Sequence, residues 1–133
     1  MPTARVAFAK DMVIAVAHGL IGWALCGATI GVGMMLTTHE TALIVHAFTA
    51  PVIFTALSLA YFRRSEAWSP LLTAAAFLGV VVVMDVFVVA LLVEHSFEMF
   101  GSVLGTWLPF LLIFLSTWWT GLASRRAAHR AGA

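Results

Sequence analysis

Cysteine is almost absent: Cys26 stands alone in 133 residues. That excludes an intrachain disulfide and a CxxC redox pair, and with them a membrane thiol oxidoreductase. Charged residues are scarce too, at 10% of the chain, and the net charge is only +1. No basic field exists for a nucleic acid. No glycine-rich strand–turn–helix signature for nucleotide is present, and HETALIVH at 39–46 is not the HExxH of a metalloprotease. A hydrolase needs a nucleophile, a base and an orienting acid in reach of one another. Ser58 and Ser116 share a depth with His18, but no acid is expected at that level, so an enzyme is the least favoured class.

What the chain has instead is apolar length. Hydrophobic residues make up 62%, against about half in a soluble domain, and the mean hydropathy is +1.04. Arg5 and Lys10 precede the first apolar run, as in a signal peptide. The run from Met12 to Leu36 is too long for a cleaved segment and has no convincing cleavage site. It is read as a retained first span.

Four spans are predicted, at about 12–36, 41–62, 71–94 and 99–122, each long enough for a hydrocarbon core of about 30 Å. Short connections force antiparallel neighbours. The expected fold is therefore an all-α integral membrane protein, an up-down bundle of four transmembrane helices in one domain.

All seven Lys and Arg fall on one side: Arg5 and Lys10, then Arg63 and Arg64, then Arg125, Arg126 and Arg130. The positive-inside rule places both termini and the middle loop in the cytoplasm. That bias argues against the dual topology of small multidrug transporters, which share this size and span count. The expected location is the inner membrane of a bacterium. Trp68, Trp118, Trp119 and Trp107 fall near span ends, as interfacial anchors. GATIG at 27–31 and GSVLG at 101–105 are GxxxG pairs, which permit close helix packing. Pro51 and Pro109 lie inside spans 2 and 4 and are expected to kink them.

Few polar groups interrupt the apolar runs. Asp85 sits near the middle of span 3 among Val81, Val82, Val88 and Val89, none of which can pair with it. A carboxylate at that depth costs about 3 kcal/mol on insertion scales, so a partner is demanded. Counting about 1.5 Å per residue puts Asp85 about 5 Å and His46 about 7 Å to the outer side of the midplane. Thr49 lies one turn from His46, and Thr29 and Thr106 fall near the same level. The expectation is an Asp85–His46 pair, joined directly or through one water, at the centre of a polar layer. The competing reading is that the pair only fixes helix register.

His18 belongs elsewhere, about 9 Å to the inner side. It shares a face of small and polar residues with Ala15, Gly22, Cys26, Thr29 and Gly33, which is expected to look into the bundle. A haem held by two histidines needs both at one depth. His18 and His46 differ by about 16 Å, so haem is disfavoured unless two bundles combine. At the outer surface His39, His95 and Glu98 share a side and are a weak candidate divalent-metal set, with no structural zinc spacing.

Two function classes follow. One is a proton- or cation-linked transporter or channel subunit, with Asp85, His46, His18 and Thr49 as candidate proton- or ligand-binding groups. Four helices are few for a pathway, so this class implies a homo-oligomer. The other is a non-catalytic assembly or ligand-binding subunit that docks a larger membrane partner. No cofactor is expected beyond the outer-face metal, and the lipid bilayer is the one certain partner.

Overall fold

The structure, a computed structural model, describes residues 2–65 and 68–132. Four helices are long and apolar enough to cross a membrane. Helix α1 spans Pro2–Leu36 and α2 spans His39–Arg64. Helix α3 spans Pro70–Met84 and continues as a π-helical stretch over Asp85–Val93. A short 3-10 turn at Glu98–Gly101 and a π-helical turn at Val103–Trp107 lead into α4, Leu108–Gly132. No strand occurs among the described residues.

The helix starts have local causes. Thr38 caps α2 by accepting from the Thr41 amide at 3.2 Å, and Ser69 caps α3 by accepting from Leu72 at 3.1 Å. Pro70 follows Ser69 at the first helical position, where its missing N–H is harmless. Ser102 accepts from the Gly105 amide at 2.9 Å and so starts the turn before α4. Two helices overrun the expected spans. Apolar length alone sets the bilayer limits, but α1 begins ten residues earlier and α4 continues ten residues later. Ala, Arg and Lys in these overhangs are good helix formers. The first overhang also packs: Phe8 lies against Trp68, with ring centroids 5.1 Å apart.

The order of packing differs from the simplest up-down expectation. Helix α1 lies beside α2 and α3, and α4 lies beside α2 and α3. Consecutive helices α2 and α3 therefore sit across a diagonal, as do α1 and α4. Five residues, 65–69, connect α2 to α3. They reach up to about 17 Å when extended, enough for the diagonal of a bundle with neighbours 8–10 Å apart. The short loop therefore does not make α2 and α3 side-by-side neighbours, contrary to the expectation from its length.

Aromatic rings fill that diagonal. Phe54 and Tyr61 of α2 meet Phe77 of α3 at centroid distances of 6.1 and 5.7 Å, and all three are fully buried. Gly22 makes room for them, since a Cβ there would lie 2.4 Å from the Phe54 ring. Gly27 and Gly31 are the opposite case. A Cβ on either meets nothing within 4 Å, so the GATIG pair packs against no part of this chain among the described residues. Large apolar side chains on all four helices, such as Leu25, Phe48, Phe87 and Leu111, face outward. A soluble monomer rarely exposes so much apolar surface, and these faces fit helices long and apolar enough to cross a membrane.

Candidate functional site

The site grows from Asp85, the residue where α3 changes winding. Its amide N–H is shared between the carbonyls of Val81 and Val82, and π-helical bonding follows, as in Glu94 N–H to Val89 O at 2.8 Å. Such windings are rare and recur at functional sites. One carboxylate oxygen of Asp85 accepts a hydrogen bond from the Trp23 indole Nε1–H at 2.9 Å. Trp23 sits at mid-length on α1, which is a true neighbour of α3. A charge-assisted bond of this kind is about twice as strong as a neutral one.

Asp85, Trp23 and His46 line one cavity of about 100 Å³, together with Cys26, Gly27, Pro109 and mostly apolar neighbours. That volume holds several waters or a small ion. His46 is 6% exposed, and its Nδ1 has no hydrogen-bond partner among the described residues. The expected pair is thus brought to one chamber without a direct bond: Asp85 bonds to Trp23, and no hydrogen bond or ion pair joins Asp85 to His46. The diagonal placement of α2 and α3 is the physical reason. Helices across a diagonal leave a gap, and here the gap is the cavity.

The hydroxyl layer does not assemble around this pair. Thr49 donates to the Val45 carbonyl at 2.7 Å and Thr29 to Leu25 at 2.9 Å, each four residues back on its own helix. Thr106 donates to the Met99 carbonyl at 2.5 Å. Threonine in a span commonly satisfies itself this way. Thr49 is accordingly no part of the chamber wall.

His18 is held apart from the chamber. Its Nδ1 is 2.8 Å from the Ile14 carbonyl, which makes that nitrogen the donor and leaves Nε2 as the acceptor in the neutral ring. The ring lies parallel to Phe77 at 6.4 Å and edge-on to Tyr61 at 5.9 Å.

The outer set is not gathered. His39, His95 and Glu98 are all exposed, and no three His, Cys, Asp or Glu side chains come together to hold a metal among the described residues. His95 has φ of 52°, a left-handed conformation found mostly in turns. It reverses the chain between α3 and α4 rather than turning toward His39. The same finding covers the chamber: Cys26, His46 and Asp85 line it without forming a three-ligand metal set.

Comparison of the chain with protein-family models, curated proteins and solved structures finds no match. The residues themselves carry the functional reading.

Two groups escape sequence reasoning. Trp23 is the tryptophan that the interfacial assignment leaves over. A mid-span indole N–H requires an acceptor, and Asp85 is the carboxylate nearest its depth. Asp11 is the second. It precedes the apolar run that starts at Met12, yet it is 7% exposed. It lies within electrostatic reach of the Tyr61 hydroxyl, seven residues further toward the basic end of α1 than His18.

Proposed function

We propose that the protein is a small membrane subunit that handles a proton or monovalent cation at the Asp85 chamber. One observation carries the reading: a part-buried carboxylate, held by one indole donor, opens on a cavity that is also lined by His46, a buried histidine whose Nδ1 has no hydrogen-bond partner among the described residues. Ionisable groups within spans are costly and are kept where they serve an ion path. A carboxylate and an imidazole facing one small wet space can exchange a proton through a single water. Trp23 fixes the carboxylate, and the π-helical stretch beginning at Asp85 lets that segment change its winding during a cycle. In this reading both termini face the cytoplasm of a bacterial cell, and copies associate to complete a pathway. An enzymatic role gains no support from the site.

The test is flux. The purified protein in liposomes is expected to carry a proton or sodium current that Asp85→Asn lowers at least about tenfold, the effect of removing an essential relay group. His46→Leu should lower it as well. Normal folding of Asp85→Asn with unchanged flux would end the transport reading.

A second reading has its own observation. A Cβ on Gly27 or Gly31 would meet nothing of this chain within 4 Å, although Gly27 also borders the chamber; this open close-packing motif supports a subunit that assembles with another helix. Gly27→Leu with Gly31→Leu would then change the oligomeric state in detergent while leaving the thermal stability of the monomer unaltered.

A further inference from the structure

The basic end of the bundle carries a groove apart from the Asp85 chamber. One wall is the last three turns of α4, where Ser124, Arg125, Ala128 and His129 recur at helical spacing. The other wall is Phe62, near the end of α2. The groove holds about 430 Å³, within the roughly 300–1,000 Å³ of small-molecule sites. Gly121 brings the walls together, since a Cβ there would lie 2.7 Å from the Phe62 ring and 2.6 Å from Pro70. None of the lining residues is acidic. Arg125, His129 and Ser124 all offer N–H or O–H donors. Arg125 is also set in place before any ligand arrives. Its guanidinium donates to the Trp68 carbonyl at 2.9 Å, which fixes the side chain and leaves further N–H groups of the fork for a second acceptor.

A fixed guanidinium with a second donor one turn away suits a phosphate, whose oxygens accept the fork bidentately. The surroundings say what carries that phosphate. Toward the apolar length of α4 the same helix face continues through Trp118, Phe114 and Leu111. Trp118 and Leu111 are 37% and 54% exposed, and the Phe114 and Trp118 rings pack with centroids 6.2 Å apart. We propose that the groove seats the phosphate of an anionic phospholipid, with an acyl chain laid along Trp118 and Leu111. Side chains on a helix lean toward its N-terminus, so Arg125 and His129 reach back toward that apolar track. Basic pockets between spans at a membrane surface are where anionic headgroups bind. A second basic groove, of about 270 Å³, carries Trp119, Arg126 and Arg130. It is lined by α4 alone, so no second helix walls it.

The lipid site stands whether or not Asp85 moves an ion, and its test reads lipid binding rather than flux. The full chain in a non-ionic detergent is titrated with phosphatidylglycerol, with phosphatidylcholine of the same acyl chains, or with glycerol 3-phosphate, at constant physiological ionic strength. Native mass spectrometry counts retained lipid, and thermal unfolding reads the shift in Tm. The expected result is one retained phosphatidylglycerol per chain and a saturable rise in Tm that neither of the other two compounds reproduces. Arg125→Gln should raise the half-saturating concentration at least about fivefold, the equivalent of one basic side chain at an anionic surface. Ala128→Leu keeps the charge and the helix propensity but fills the groove, and should weaken binding comparably. It carries the test should Arg125→Gln, which also loses the bond to Trp68, fail to fold. Arg126→Gln/Arg130→Gln removes two charges outside the groove and should shift binding less than about twofold, because exposed charges are screened. Asp85→Asn should bind as the native chain does. An equal Tm rise with phosphatidylcholine or with glycerol 3-phosphate would overturn the proposal. So would a lipid response untouched by Ala128→Leu, or one weakened as much by Arg126→Gln/Arg130→Gln as by Arg125→Gln.

Discussion

Asp85 and Asp11 are both withdrawn from solvent, one in each half of the bundle, and the two halves satisfy them differently. Asp85 lies deep in the apolar length of α3 and accepts a designated donor, the Trp23 indole. Asp11 lies near the basic end, within electrostatic reach of the buried Tyr61 hydroxyl, which has the Ser65 and Thr73 hydroxyls beside it. The first arrangement is finished on its protein side and leaves an open chamber beyond it. The second has no such designated donor among the described residues. The lesson is about location. In the apolar centre an unmet carboxylate costs the most, so the chain supplies a fixed partner. Near the interface water and ions are at hand, so the last partner need not be protein. Between the two halves lies the aromatic diagonal of Phe54, Tyr61 and Phe77.

The largest effect that would sharpen this contrast is expected at Trp23. Trp23→Phe keeps most of the ring volume and removes the N–H, leaving the Asp85 carboxylate without its donor. The expected loss is about 1–3 kcal/mol, as for a buried charged acceptor left unmet, read as a fall in thermal midpoint in detergent. In the Trp23→Phe/Asp85→Asn double mutant the losses should be strongly non-additive, because one bond links the two residues. Additive losses would show that the bond contributes nothing. Trp68→Phe is the matching change at the other end. The Trp68 N–H has no partner among the described residues, so this substitution should fall within about 0.5 kcal/mol of the native chain.

His46 should give a smaller effect on stability. His46→Leu replaces a buried ring whose Nδ1 is unpartnered, and removing an unmet polar atom offsets the change of shape. The thermal midpoint is expected to stay level or rise slightly, with a change within about 1.5 kcal/mol. A large loss would mean that His46 holds the bundle together, and would move it from the chamber's chemistry to its scaffold.

The four helices and the cost of placing Asp85 among them were legible because both follow from transfer cost. Long apolar runs must be buried in lipid or protein, and a lone carboxylate within one stands out. Depth counting also placed Asp85 and His46 at one level, and they do line one cavity. What counting along each helix cannot supply is rotation and neighbour order. The 65–69 loop is short enough for adjacent helices and long enough for diagonal ones, so its length did not separate the two. That ambiguity is why Asp85 was matched to His46 on α2 and not to Trp23 on α1. Asp11 was overlooked for a related reason. The first span is read from Met12 onward, whereas the overhanging first turns of α1 stay helical and pack Phe8 onto Trp68.

Thr49 carries the smallest expected effect and tests how polar the chamber is. As a residue one turn from His46, it was expected to extend a polar layer toward Asp85. Its hydroxyl instead donates to the Val45 carbonyl at 2.7 Å on its own helix. Such a bond is made within one turn and depends on no neighbouring helix. Thr49→Val removes the hydroxyl and keeps the branched shape. The Val45 carbonyl retains its backbone hydrogen-bonding role in α2, so no unmet group is created. The stability change should therefore stay within about 0.5 kcal/mol, and liposome flux should equal that of the native chain. Thr29→Val, whose hydroxyl is turned back to Leu25 in the same manner, should behave alike. A flux loss in Thr49→Val comparable to that of Asp85→Asn would mean that the hydroxyl leaves Val45 and enters the chamber during the cycle. The working site would then be the wider polar layer rather than Asp85, Trp23 and His46 alone.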